Sequence, residues 1–174
     1  MPNLIPGDKK FQTIPSTKDK ALRINLNENI YGTFAEIGAG QEIVRNFFRA
    51  GGASGTIAKT MSAYDKDFSD AIYGVEPEGR YVTEARLKKM LAHEIQLIEE
   101  RISRDKHPRK MFFAYANTVA TIDFAKKYLG HGWVGIRFQT DPNEDYSEIV
   151  LHIRFKETEA VLQQQTLGLY FQRF

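Results

Sequence analysis

The chain has 174 residues, enough for one domain with a full hydrophobic core and too few to expect two. Apolar residues make up 42% and charged residues 26%, with 12 Phe, 8 Tyr and 1 Trp, which excludes a disordered tail or a low-complexity scaffold. The 24 Lys and Arg against 22 Asp and Glu leave a net charge of +2, too small to imply a polyanionic partner, and the absence of cysteine excludes a disulfide framework, a thiolate nucleophile and a zinc–thiolate site.

The first twenty residues hold Pro2, Pro6, Pro15 and six charges without a periodic apolar pattern, so residues 1–21 are expected to form a mobile arm before a single domain over 22–174. Ile30 to Ile37, rich in β-branched and aromatic residues, predicts a strand. It runs into Gly38, Ala39 and Gly40, after which Ile43, Val44, Phe47 and Phe48 recur at helical spacing. Gly51, Gly52 and Gly55 stop that helix, Thr56 to Met61 alternates as a second strand, and Tyr64 to Tyr73 reads as a helix ending at Gly74. Thr83 is placed to cap a long helix with Leu87, Met90, Leu91, Ile95, Ile98 and Ile102 on one stripe. Five basic residues and Pro108 in the segment 101–110 predict an exposed turn, and Met111 to Tyr115 a compact strand. Asn117 or Thr118 is expected to cap a helix running to Leu129, with Gly130 as its terminator. Gly132 to Gln139 and Ser147 to Phe155 alternate clearly and are joined by Asp141-Pro142-Asn143, the mark of an antiparallel pair; Glu157 to Leu167 predicts a closing helix. The sum is an α/β fold: a three-layer Rossmann-like domain whose sheet is mostly parallel with an antiparallel edge hairpin.

The glycine turn carries the strongest functional signal. A strand, a glycine turn and a helix let backbone N–H groups approach a ligand and aim the helix N-terminus at negative charge. The run Glu36-Ile37-Gly38-Ala39-Gly40-Gln41-Glu42 resembles the first motif of S-adenosylmethionine-dependent methyltransferases, with Glu42 where the third glycine stands. Against the dinucleotide fingerprint G-x-G-x-x-G/A the third small position is Ile43. Gly32-Thr33-Phe34 also aligns with the opening of nucleotidyl transferases, where Gly38 and Gln41 replace both histidines that would contact the phosphates. The expected ligand is therefore nucleotide-like: S-adenosylmethionine, an adenine nucleotide or a dinucleotide. Gly38 and Gly40 would allow close approach, Gln41 would meet the polar part, and Glu36 or Asp65 would accept hydroxyl or amino hydrogen bonds. Asp65 lies 22 residues beyond Ile43, near the spacing of a ribose-binding acid, and serves equally as a helix cap.

On the predicted hairpin the polar face holds Arg137, His152 and Arg154, a set suited to a phosphate or carboxylate, since guanidinium forks chelate planar anions. No two histidines stand at i, i+4, so no metal site is expected. The basic turn interleaves no aromatics, so no nucleic-acid groove is expected. The start has no apolar leader and no run approaches 18 apolar residues, so a cytoplasmic protein without membrane contact is expected.

The stretch FAEIGAGQEIVRNFFRAGGASGTIAKTMSAYDKDFSDAIYG, with HGWVGIRFQ and VLQQQTLG further on, resembles a bacterial protein family of unassigned function. Members of that family carry the names TonB-dependent receptor or nicotinate-nucleotide adenylyltransferase. The first name implies a signal peptide, a plug and a many-stranded membrane barrel; the second implies the phosphate-contacting histidines that this chain replaces. Members of the family are longer, and the chain ends on the apolar LGLYFQRF. The resemblance therefore implies an N-terminal portion of a longer protein, with a missing remainder or a second copy as the tail's partner. Beside the ligand-binding expectation stands a non-catalytic structural or interaction domain, in which the glycines serve packing.

Overall fold

A computed structural model describes residues 15–125 and 127–170. In chain order the elements are α1 (Thr17–Asn25), β1 (Ile30–Gly38), α2 (Glu42–Ala50), a 3₁₀ turn (Ala53–Gly55), β2 (Ile57–Met61), α3 (Lys66–Tyr73), α4 (Glu84–Arg101), β3 (Met111–Ala120), β4 (His131–Phe138), β5 (Ser147–Arg154) and α5 (Ala160–Tyr170). The five strands form one sheet in the order β2-β1-β3-β4-β5. Strands β2, β1 and β3 are parallel, and β4 and β5 continue antiparallel at the edge.

The strand alternation sorts the core into two layers. Phe34, Phe113, Tyr115, Val119 and Val134 point to one face, where Ala21 of α1, Ile43, Val44 and Phe47 of α2 and Leu167 of α5 cover them. Phe34 is the centre of an aromatic cluster there, with ring centroids 5.1 Å from Phe47, 5.6 Å from Phe113 and 5.5 Å from Tyr115. Ala35, Ile37, Ala114 and Ala116 point to the opposite face, under Tyr73 of α3 and Leu87, Met90, Leu91 and Ile95 of α4. Small alanines on this side let the long stripe of α4 lie close to the sheet. The architecture is thus the expected three-layer α/β fold.

Two expectations are corrected. The helix expected from Asn117 to Leu129 does not form, because β3 continues to Ala120. Asn117 and Thr118 are cap-forming residue types, but here they sit between β1 and β4, paired with Glu36 and Ile37 on one side and Val134 and Trp133 on the other. Tertiary partners supply what a capping role would have supplied: Thr118 Oγ1 donates to the Tyr81 carbonyl at 2.7 Å and Asn117 Nδ2 to the Gly40 carbonyl at 2.9 Å. Of the arm expected over residues 1–21, residues 17–21 belong instead to α1, started by a capping box in which Ser16 and Asp19 bond reciprocally. Residues 1–14 lie outside the described residues, as do 171–174 of the apolar tail.

The second face is held by two buried charge clusters. Glu94, fully buried, receives Lys59 Nζ at 2.7 Å, Thr33 Oγ1 at 3.0 Å and Tyr73 Oη at 2.9 Å, tying α4 to β1, β2 and α3. Arg86, also fully buried, donates to the Ser69 carbonyl at 2.9 Å, to Ser69 Oγ at 2.6 Å and to Glu76 at 3.2 Å. It lies between the rings of Tyr73 and Tyr81, at 5.4 and 5.1 Å. The segment joining α3 to α4 is therefore anchored by one guanidinium. Arg86→Ala leaves Glu76 and Asp70 without their buried cation and should cost about 3–5 kcal/mol in urea denaturation. Lys88→Ala, which removes only the exposed pair with Glu84, should change stability by less than about 0.5 kcal/mol.

Candidate functional site

The chain leaves β1 through α2 to β2 on one side and returns through α3 and α4 to β3 on the other, so the strand order reverses between β1 and β3. In open α/β sheets the crevice at the carboxyl ends of such strands is where ligands bind. Here those ends are Gly38 and Val119, directly paired, with the glycine turn above them.

The glycines are used for close approach, but to the protein's own atoms. Gly38 has φ of 74°, and a Cβ there would overlap the Val119 carbonyl. The Ala39 N–H donates back to that same carbonyl at 3.3 Å. A Cβ on Gly40 would overlap the Asn117 carboxamide. Gln41 stands at the N-cap of α2 yet makes no capping bond; its amide donates to the Gly38 carbonyl instead.

The capping role passes to Glu36. Its side chain points to the α2 face, where Oε1 accepts from the Val44 N–H, the third residue of the helix, at 3.4 Å. That is the place an N-cap side chain normally occupies, and it is where the helix end favours an acceptor. Glu36 is fully buried, and burial pushes its pKa up to about 8; the Val44 and Ile43 N–H groups and the Asn117 amide pull the other way, and the Glu42 charge adds to the rise. Beside it, burial and the Glu36 charge push the Tyr115 phenol up. Asn117, also fully buried, donates to the Gly40 carbonyl at 2.9 Å and to Tyr115 Oη at 3.2 Å. Two polar atoms in this group, Glu36 Oε2 and Asn117 Oδ1, are buried without a hydrogen-bond partner. Sequence reasoning assigned Glu36 and the glycines to this place and missed Asn117 and Tyr115, whose i, i+2 spacing on a strand is the signal that they share a face.

The remaining expected site residues lie elsewhere. Asp65 is the N-cap of α3, accepting from the Phe68 N–H at 2.9 Å, and is exposed. Arg137 does not converge with His152 and Arg154. It pairs across the sheet with Glu148, four residues before His152, a separation of about 13 Å along the strand, and stacks over Tyr146 at 5.4 Å. His152 and Arg154 are joined instead by His131, which stands opposite Arg154.

An apolar cavity of about 370 Å³ opens at the other end of the sheet, lined by Ile24, Ile30, Phe34, Phe47, Ile136 and Phe138. Its polar neighbour Gln139 is fully engaged, accepting from Arg104 at 2.6 Å and the Phe112 N–H at 3.1 Å and donating to the Glu144 carbonyl at 2.9 Å. That leaves it no amide group with which to orient a ligand.

No protein-family model matches the chain, and no curated protein matches it. Solved structures do match. A competence/damage-inducible protein of Agrobacterium tumefaciens shares the fold at 18% identity and a TM-score of 0.55, over 98% of this chain and 93% of that chain. Members of the competence-damaged protein (CinA) superfamily align from Klebsiella pneumoniae, at 13% identity and TM-score 0.58 over 90% and 92%, and from Enterobacter cloacae, at 15% and 0.55 over 99% and 94%. At such identities the likeness is one of fold. A five-stranded sheet between helical layers is not a many-stranded membrane barrel, so the receptor name carried by the resembling family does not describe these residues. Among the described residues no helix is long and apolar enough to cross a membrane.

The buried carboxyl makes stability depend on pH in a defined direction. Between pH 4.5 and about 8 the folded chain keeps a proton on Glu36 that the unfolded chain has lost. Stability therefore falls as pH rises through that window, by up to about 1.4 kcal/mol per unit from this group. Glu36→Gln should remove that component, so that in calorimetric melts the variant gains on the wild type from pH 5 towards pH 9; melting curves that stay parallel contradict the assignment.

Proposed function

We propose that the chain binds a nucleotide-like small molecule at the carboxyl ends of β1 and β3, with a hydroxyl or amino group of the ligand hydrogen-bonding to Glu36 and Asn117. S-adenosylmethionine, an adenine nucleotide and a dinucleotide all carry such groups. The observation that supports this reading is the pair of buried polar atoms without a hydrogen-bond partner, Glu36 Oε2 and Asn117 Oδ1, at the point where the strand order reverses. Because Glu36 already occupies the N-terminal end of α2, an anionic phosphate is not what fits beside it; a neutral donor, such as a ribose hydroxyl or an exocyclic amine, is. The path inward passes the partly exposed Gly38, Gln41 and Glu42.

A second reading, a non-catalytic structural or interaction domain that meets a missing remainder or a second copy, is favoured by the glycines themselves. Their tight contacts to Val119 and Asn117 account for them without a ligand, and α5 leaves Val161, Leu162 and Leu169 exposed. Substitution at Gly40 cannot separate the two, because a side chain there meets Asn117 whichever holds. Glu36→Gln can. In a thermal-shift panel of S-adenosylmethionine, S-adenosylhomocysteine, ATP, NAD and NADP, the first reading expects one adenine compound to raise the wild-type Tm. At a hundredfold excess over Kd the stabilisation is about 2.7 kcal/mol, and it should disappear in the folded Glu36→Gln variant. No rise with any compound favours the second reading.

A further inference from the structure

Two of the chain's four histidines meet on the face opposite Val134 and Ile153. The β4–β5 register sets Trp133 opposite His152 and His131 opposite Arg154, which makes His131 and His152 diagonal neighbours across the strands. Their rings are 5.5 Å apart and nearly perpendicular, at 83°, and His152 Nε2 and His131 Nδ1 share a hydrogen bond at 3.4 Å whose direction is set by the tautomers. The Trp133 indole stacks on His152 at 4.6 Å and 18°, holding that ring in place.

The spacing between the two nitrogens is the informative quantity. Two metal–nitrogen bonds of about 2.05 Å meeting at a tetrahedral angle hold their nitrogens roughly 3.35 Å apart. A phosphate needs more room, since each nitrogen would have to reach its own oxygen rather than its neighbour. We propose that His131 and His152 form a two-imidazole chelate for a divalent transition-metal ion of the copper or zinc type, separate from the glycine turn, with water completing the coordination. Among the described residues no group of three or more His, Asp or Glu side chains is placed to hold an ion, so the protein contributes two nitrogens and no carboxylate. Imidazole pairs of this kind favour Cu²⁺ most and then Zn²⁺ and Ni²⁺. Helical i, i+4 spacing is the sequence signal for a histidine chelate; a diagonal pair 21 residues apart on two strands carries none.

Trp133 is the chain's one tryptophan and lies against the site, so its emission reports occupancy. Titration with CuCl₂ at neutral pH should quench that emission saturably with one ion per chain, and ZnCl₂ should compete. His131→Gln, which leaves the His152–Trp133 stack in place, should weaken the midpoint by about tenfold or more. His152→Gln should do the same, and a variant with both His93→Gln and His107→Gln should bind as the wild type does. Arg154→Gln, which removes the cation facing His131, should tighten binding several-fold. Quenching that rises linearly without saturation, or a midpoint unchanged in a His131→Gln variant that far-UV dichroism shows to be folded, overturns the proposal. So does loss in His152→Gln alone, which would mean single-ligand binding.

Discussion

A fully buried carboxyl group organises the upper end of this sheet. Glu36 leaves β1 two residues before the chain turns, and it supplies the acceptor that the first turn of α2 lacks, since Gln41 makes no capping bond. An uncapped helix end buried against a sheet is costly, so the direction in which α2 departs is tied to the side chain of the preceding strand. The register of β1 and β3 turns Asn117 and Tyr115 to this same spot, and a side chain at Gly40 would overlap the Asn117 carboxamide. The last turns of α5 rest on this arrangement in turn: Asn46 of α2 donates both to the Glu42 carbonyl and to the Gly168 carbonyl, each at 3.1 Å.

The two faces of the sheet are stabilised by different means. On the α1, α2 and α5 side, interlocked aromatic rings around Phe34 dominate, and burial pushes the pKa of the Glu36 carboxyl at the upper end up to about 8. On the α3 and α4 side, alanines bring α4 close, and the charges that this buries are matched in place, Glu94 by Lys59 and Arg86 by Glu76. Paired charges specify where α3 and α4 sit, while two of the buried polar atoms without a partner, Glu36 Oε2 and Asn117 Oδ1, lie together at the point where a ligand of this fold class would enter.

Most of the fold was legible because its elements are locally consistent. Thr83 before the stripe Leu87 to Ile98, Gly74 behind Tyr73, and the alternation through Val134, Ile136 and Phe138 each point to the element that forms. The misreading at Asn117 and Thr118 has a physical cause: both are polar residues that favour helix starts, and only a paired strand on each side makes them better placed in a sheet. In the candidate site, Glu36, Gly38 and Gly40 were visible as a strand-to-turn motif, because motif and geometry are local there. Asn117 lies 77 residues from Gly40 and His131 stands 21 from His152, and contacts of that kind depend on register, which no local pattern records.

The most direct measurement is a ¹³C NMR titration of the glutamate side-chain carboxyls in the wild type and in Glu36→Gln. A resonance that titrates near pH 8 and is missing from the variant is the result expected of a buried carboxyl capping α2 from the strand. If every glutamate titrates near the ordinary value of 4.5, Glu36 is solvated, the acceptors are not buried, and both the capping role and the ligand site built on it are contradicted.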